Sequence, residues 1–162
     1  MTHRNIEPLQ QPFRLLENND LLIEKSGGGD ISPVGRVVNY TLNLRAVSSN
    51  FISRLTPTKY TDKRFLCYVF AATYSIRLNH KSIKQTTGIQ NLDLYSYLTE
   101  QFGLPPLHEQ KAIVEYLDNE ITITDEIIKQ IGQSISLLQN QRAALISAAV
   151  TGKIDVRSQE PA

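Results

Sequence analysis

The sequence predicts an α+β fold: a small sheet with helices packed on it, followed by one long helix. Two patterns predict the parts. Short apolar runs separated by glycine- and proline-bearing turns fill the front of the chain, and a Leu/Ile repeat of 3.5 residues runs through the back. A change of composition predicts where they meet. Residues 1–104 carry 12 Lys and Arg against 8 Asp and Glu, with 11 of the 12 Phe and Tyr, whereas residues 105–162 carry 5 against 8 and only Tyr116. Pro105-Pro106 stands at that change, so the division is expected there, with residues 105–157 forming the helix and its exit and 158–162 a tail.

Each element has its own local reason. Asp20 to Lys25, centred on Leu21-Leu22-Ile23, then Gly35 to Tyr40 and Phe51 to Leu55 read as short strands. Between them, Gly27-Gly28-Gly29-Asp30 and Ser32-Pro33 supply turn chemistry, the glycines for positive φ. From Asp62, a candidate N-cap, Phe65, Leu66, Val69, Phe70, Thr73 and Ile76 recur at helical spacing, predicting a core-facing helix over 62–78. A loop is expected from Asn79 to Gln90. The long helix is expected from about His108 to Thr151: Pro105-Pro106 sets its start, Glu109, Glu115 and Asp118 suit the positive end of its dipole, and Gly152 stops it. Steps of four and three from Leu117 visit Ile121, Thr124, Ile128, Ile131, Ile135, Leu138, Arg142, Leu145 and Ala149. That stripe is too narrow for a globular core and suits pairing with another long helix, as in a coiled coil. Gly132 costs such a helix about 1 kcal/mol relative to Ala.

Composition narrows the function. With 41% hydrophobic and 20% charged residues, the chain is neither disordered nor collagen-like. No apolar run approaches the roughly 20 residues of a membrane span, and Met1-Thr2-His3-Arg4-Asn5 lacks the apolar core of a secretory signal, so no membrane partner and a cytoplasmic location are expected. The single cysteine, Cys67, sits among Phe65, Leu66, Tyr68, Val69 and Phe70 and reads as a small buried hydrophobe.

The familiar catalytic signatures fail residue by residue. His108-Glu109 begins like a zinc helix, but Ala112 stands where the second histidine would be, and His3 and His80 are not spaced as ligands. Neither Gly27-Gly28-Gly29 nor Gly152-Lys153-Ile154 completes a phosphate loop, and no nucleophile elbow occurs. No metal and no catalytic residue is therefore expected. His80, Lys81, Lys84, Gln85, Thr86 and Thr87 in the 79–90 segment are what a phosphate backbone and base edges call for, and equally what any solvated loop contains.

Leu104-Pro105-Pro106-Leu107-His108-Glu109-Gln110, then Ile113-Val114 and Tyr116-Leu117-Asp118, and at the far end Leu145-Ile146-Ser147-Ala148-Ala149-Val150-Thr151-Gly152-Lys153-Ile154-Asp155-Val156-Arg157, form a long ordered set of motifs. It strongly resembles the conserved spacer helix of the specificity (S) subunit of type I restriction-modification systems. Upstream, Asp20-Leu21-Leu22-Ile23 through Ser26-Gly27-Gly28 to Val34-Gly35-Arg36-Val37, and Thr87-Gly88-Ile89-Gln90-Asn91-Leu92, are similar to the later part of that family's target recognition domain. The resemblance covers roughly residues 19–157.

The resemblance implies a non-catalytic DNA-reading subunit. A full S subunit holds two recognition domains apart on two paired helices, each reading one half of a split target, and docks methyltransferase (M) subunits; restriction (R) subunits join that complex. No cofactor of the chain's own is expected, since S-adenosylmethionine, ATP and Mg belong to the partner subunits. The family pattern implies that 1–104 is a partial recognition domain lacking its first strands. A half-size chain of this kind is expected to form a homodimer, or to pair with another S polypeptide, through antiparallel helices, with Leu117, Ile121, Ile128, Ile131, Ile135, Leu138 and Leu145 in the seam. The DNA-contacting residues expected are Lys81 and Lys84 on phosphates, Gln85, Thr86 and Thr87 on base edges or backbone, Arg77 on either, and Lys25 and Arg36 beside the glycine turn. The alternative is a truncated assembly fragment that pairs through its helix and reads no DNA.

Overall fold

The computed structural model describes residues 3, 5–18, 20–85 and 88–157. It is an α+β chain of two small antiparallel sheets, short helices and one long C-terminal helix. By its internal contacts it divides into two compact units, residues 1–114 and 115–162.

The first unit opens with a short helix, α1 (Gln11–Arg14), before strand β1 (Leu21–Glu24). β1 is the centre of the first sheet because both of its edges are used. Leu21, Leu22 and Ile23 pair with Asn39, Val38 and Val37 of β3 (Val37–Asn39), and Leu21 to Glu24 pair with Leu55 to Ile52 of β4 (Ile52–Leu55). Strand alternation sends Leu21 and Ile23, both fully buried, to the core and Leu22 and Glu24 to the other face. The three strands expected from sequence are these, each trimmed at its ends.

The chain then changes sheets at Lys25. Its N–H donates to the Phe51 carbonyl beside β4 (2.8 Å), and its carbonyl accepts from the N–H of Leu92 in the second sheet (2.8 Å). That second sheet has the order β2-β6-β5, with β2 (Ser26–Gly27), β5 (Ile83–Gln85) and β6 (Gln90–Leu92). The segment 79–90, expected as a loop, is instead a 3-10 turn (Leu78–Ser82) followed by β5 and the start of β6. Three-residue strands are too short for period-two alternation to register in the sequence, and Lys, Gln and Thr mask them as solvated loop.

Helix α2 (Lys63–Ser75) starts as its sequence demands: the Asp62 carboxylate accepts from the N–H groups of Arg64 (2.9 Å) and Phe65 (3.0 Å). Phe65 is buried, and Leu66, Cys67 and Phe70 pack on the cluster of Leu21, Ile23, Val34, Val37, Leu92 and Tyr97. Ile76 is a correction to the expected core face. It follows the last helical residue, where the chain turns away, and it is largely exposed. Helix α3 (Leu94–Leu98), capped by Asp93, carries Tyr97 into the core against Phe70, with ring centroids 5.9 Å apart.

Helix α4 spans Leu107–Val150, 44 residues and about 66 Å at 1.5 Å per residue. Its end is a Schellman turn: Gly152 takes φ +72°, and the N–H groups of Lys153 and Gly152 donate to the Ala148 and Ala149 carbonyls. The helix is continuous through Gly132.

Candidate nucleic-acid interface

The candidate interface is built on the turn between β2 and β3 and on the second sheet. Gly27 and Gly28 have φ +116° and +58°, and a Cβ on Gly28 would lie 2.8 Å from the Val34 N–H nitrogen, so the turn admits only glycine there. Val34 is fully buried and held by side chains distant in sequence. The Gln90 amide oxygen accepts from its N–H (3.2 Å), and the Asn79 amide donates to its carbonyl (2.7 Å). These two buried amides fasten the glycine turn to the second sheet and to the 3-10 turn.

Pairing in the second sheet sets two ranks of side chains. Ser26, Asn91 and Lys84 lie across one rank, and Gly27, Gln90 and Gln85 across the next. Partners in an antiparallel pair share a face. In the first rank Asn91 and Lys84 are exposed and Ser26 is half-buried: the Ser26 hydroxyl donates to the Asn91 amide oxygen (2.7 Å), and the Lys84 ammonium donates to the Asp93 carboxylate (2.7 Å). That ammonium, with an N–H donated by Ser96, holds the Asp93 carboxyl below the usual carboxylate range.

A groove of about 590 Å³ runs beside this rank. Leu22, Val38, Phe51, Ile52 and Ile89 give it apolar walls, and Glu24, Ser26 and Arg36 give it polar groups. Arg36 is exposed, with its guanidinium 5.3 Å from the centre of the Tyr74 ring, a cation-π contact that holds it against α2.

The expected DNA-contacting residues fall in four places. Lys84 and Gln85 are exposed on β5, and Lys81 is exposed on the 3-10 turn before it. Arg77 is exposed at the end of α2 in a left-handed conformation, φ +59°. Lys25 is half-buried at the sheet crossover, and Arg36 lines the groove. Thr86 and Thr87 lie outside the described residues. Sequence reasoning passed over Ser26 and Asn91, which the structure brings together with Lys84, and the apolar groove altogether. An Asn in a strand between two buried residues, Gln90 and Leu92, was the signal available for Asn91.

Among the described residues no group of three or more His, Cys, Asp or Glu side chains could hold a metal, and no helix is long and apolar enough to cross a membrane. Burial pushes the Cys67 thiol up, against the smaller pulls of the Asn39 backbone and Arg64, so it is a poor nucleophile.

The family model of the type I restriction modification DNA specificity domain matches residues 5–137, from α1 through most of α4. The chain belongs to that family. The specificity domain is the part of such a system that reads DNA, not one that catalyses its modification or cleavage. The chain is 24% identical over 151 residues to the type I restriction enzyme StySPI specificity subunit of Salmonella potsdam, covering 90% of this chain and 32% of that protein. It is 28% identical over 135 residues to the type I restriction enzyme EcoKI specificity subunit of Escherichia coli (strain K12), covering 83% and 29%. This specificity-domain chain thus spans about a third of the length of the curated relatives it matches.

The helix expected to pair contributes the second candidate surface. In the unit of residues 115–162, Ile121, Ile128, Ile131, Ile135, Leu138 and Leu145 are all exposed, and Leu117 is half-exposed. Six large apolar side chains on one 3.5-residue stripe, with no cover from their own unit, form an extended apolar patch.

Proposed function

We propose that this chain is a half-size DNA sequence-recognition subunit of a type I restriction-modification complex, with residues 1–104 as the reader and 105–157 as the spacer. Each copy reads one half of a split target. Two copies, or this chain and another S polypeptide, pair through antiparallel α4 helices, and the helices dock M subunits, which R subunits join. S-adenosylmethionine, ATP and Mg act on those partners, and the work of this chain is positioning. Support comes above all from the family match itself, which covers the reader and most of the spacer as one continuous stretch.

In the reader, Lys81 and Lys84 contact phosphates, Gln85, Thr86 and Thr87 contact base edges or backbone, and Arg77 contacts either; Lys25 and Arg36 flank them. β5 and β6 form an antiparallel ribbon within their three-stranded sheet, and it presents Lys84 and Asn91 exposed on one face. A paired assembly fragment that reads no DNA is the second reading. What favours it is the apolar, open groove beside the ribbon, since DNA phosphates offer nothing to Val38, Phe51 and Ile89.

Light scattering of the full chain, alone and with its cognate M subunit, followed by enrichment from a random duplex DNA pool, separates the two readings. The first predicts a dimer that recruits M and enriches a two-fold symmetric, interrupted sequence. A dimer that enriches nothing would establish the second, and a monomer would overturn pairing in both.

A further inference from the structure

We infer that Asn91 reads an adenine in the half-site, with Ser26 as its positioning residue; this rests on the DNA-reading function proposed above. β6 is the central strand of its sheet, and of its three side chains Gln90 and Leu92 are buried while Asn91 alone is exposed. A residue type that strands disfavour therefore occupies the one outward position of the central strand.

Its amide is held. The Ser26 hydroxyl donates to the Asn91 oxygen at 2.7 Å, from a backbone fixed on one side by β6 and on the other by the Gly27-Gly28 turn. That bond selects one of the two orientations of the amide and uses one lone pair of its oxygen. A second lone pair and both amide hydrogens remain for a ligand. One acceptor and one donor side by side match the N6 amino group and N7 of adenine, whereas guanine presents two acceptors at those positions. Lys84, opposite Asn91 in the same rank, supplies a cation beside it, so a base contact and a phosphate contact share one face of the ribbon. The Asp93 carboxylate holds that ammonium in place.

The test is enrichment from a random duplex DNA pool by the full chain with its M subunit, comparing the unaltered chain with Asn91→Ala, Asn91→Asp and Ser26→Ala. Unfolding midpoints verify that each variant folds, and the exposure of Asn91 predicts that they do. Asn91→Ala should lower discrimination at one adenine position, mirrored in the two halves, from about 10- to 100-fold to under about 2-fold and leave the other positions intact. Asn91→Asp, an acceptor without donors, should turn the preference at that position toward cytosine, whose amino group donates. Ser26→Ala should weaken the adenine preference without changing the base preferred, which a purely structural role for the hydroxyl would not do. If the unaltered chain enriches a sequence and Asn91→Ala returns the same base at every position, the assignment of Asn91 is overturned and DNA reading stands. If the unaltered chain enriches no sequence, DNA reading falls and this inference with it.

Discussion

Gln110 has no exposed surface, yet it is an amide in the first turns of a helix. Its oxygen accepts from the Asp62 N–H (2.7 Å), and its nitrogen donates to the carbonyls of Tyr60 (3.0 Å) and Pro105 (2.8 Å). One side chain thus satisfies three backbone groups at the start of α2 and of α4 that have no helical partner. Gln110→Ala should destabilise the chain by about 3 kcal/mol in urea unfolding, because three part-buried backbone groups lose their partner together. Gln110→Glu should do no better, since a carboxylate only accepts and two of the three groups are carbonyls; recovery of full stability by Glu would refute the donor role. In the sequence Gln110 is grouped with the acidic residues of the opening turns, although its amide is neutral, and its bonding role is invisible there because two of its three partners lie 48 and 50 residues away. Cys67 was more legible. Its apolar neighbours predict burial, and it is half-buried against the core; a thiol whose pKa that burial raises contributes stability that is full below the ordinary thiol value of about 8.5 and is lost above it, where the unfolded chain ionises first. Reaction with a thiol reagent at pH 8 should accordingly be slower for the folded chain than for the unfolded one; equal rates would contradict the partial burial.

At the scale of elements, what repeats was readable and what is short was not. Helix α4 declared itself through ten positions at a 3.5-residue spacing, a proline start and a glycine stop, and the structure begins and ends it within one residue of expectation. β5 and β6 have three residues each; β5 pairs with β6, and β6 with β2 some 60 residues earlier, so strands this short carry too few positions for a period-two signal of their own. The seam of α4 gives the sharpest prediction at this scale. Ile128→Asp with Ile135→Asp places charges where an apolar stripe must be buried on pairing, and self-association measured by light scattering should be abolished. An unchanged dimer would remove the stripe from the interface. Gly132 adds a control on the same helix: a Cβ there meets nothing within 4 Å in the single chain, so Gly132→Ala should stabilise α4 by about 1 kcal/mol. A loss of stability would instead put the partner helix against that position.

For the whole molecule, charge decides how DNA is met. The net charge is only +1, because a reader with four surplus cations is joined to a spacer with three surplus anions. Non-specific attraction is therefore weak per copy, and two copies joined through their spacers would double the number of phosphates neutralised without any new contact type. Five expected cations, Lys25, Arg36, Arg77, Lys81 and Lys84, set a ceiling of about five phosphates per copy, which corresponds to a slope of log K against log salt of roughly −4 to −5, and twice that for a pair. Lys84 is the informative one to remove. It starts in an ion pair with Asp93 that is largely exposed, so its release to a phosphate costs little. Lys84→Ala should reduce the slope by about one per copy and weaken binding of all sequences alike, whereas Asn91→Ala should leave the slope unchanged and alter the sequence preferred. Salt titrations of the two variants on one enriched duplex therefore separate holding the backbone from reading the bases, and an unchanged slope for Lys84→Ala would move the phosphate contact off β5.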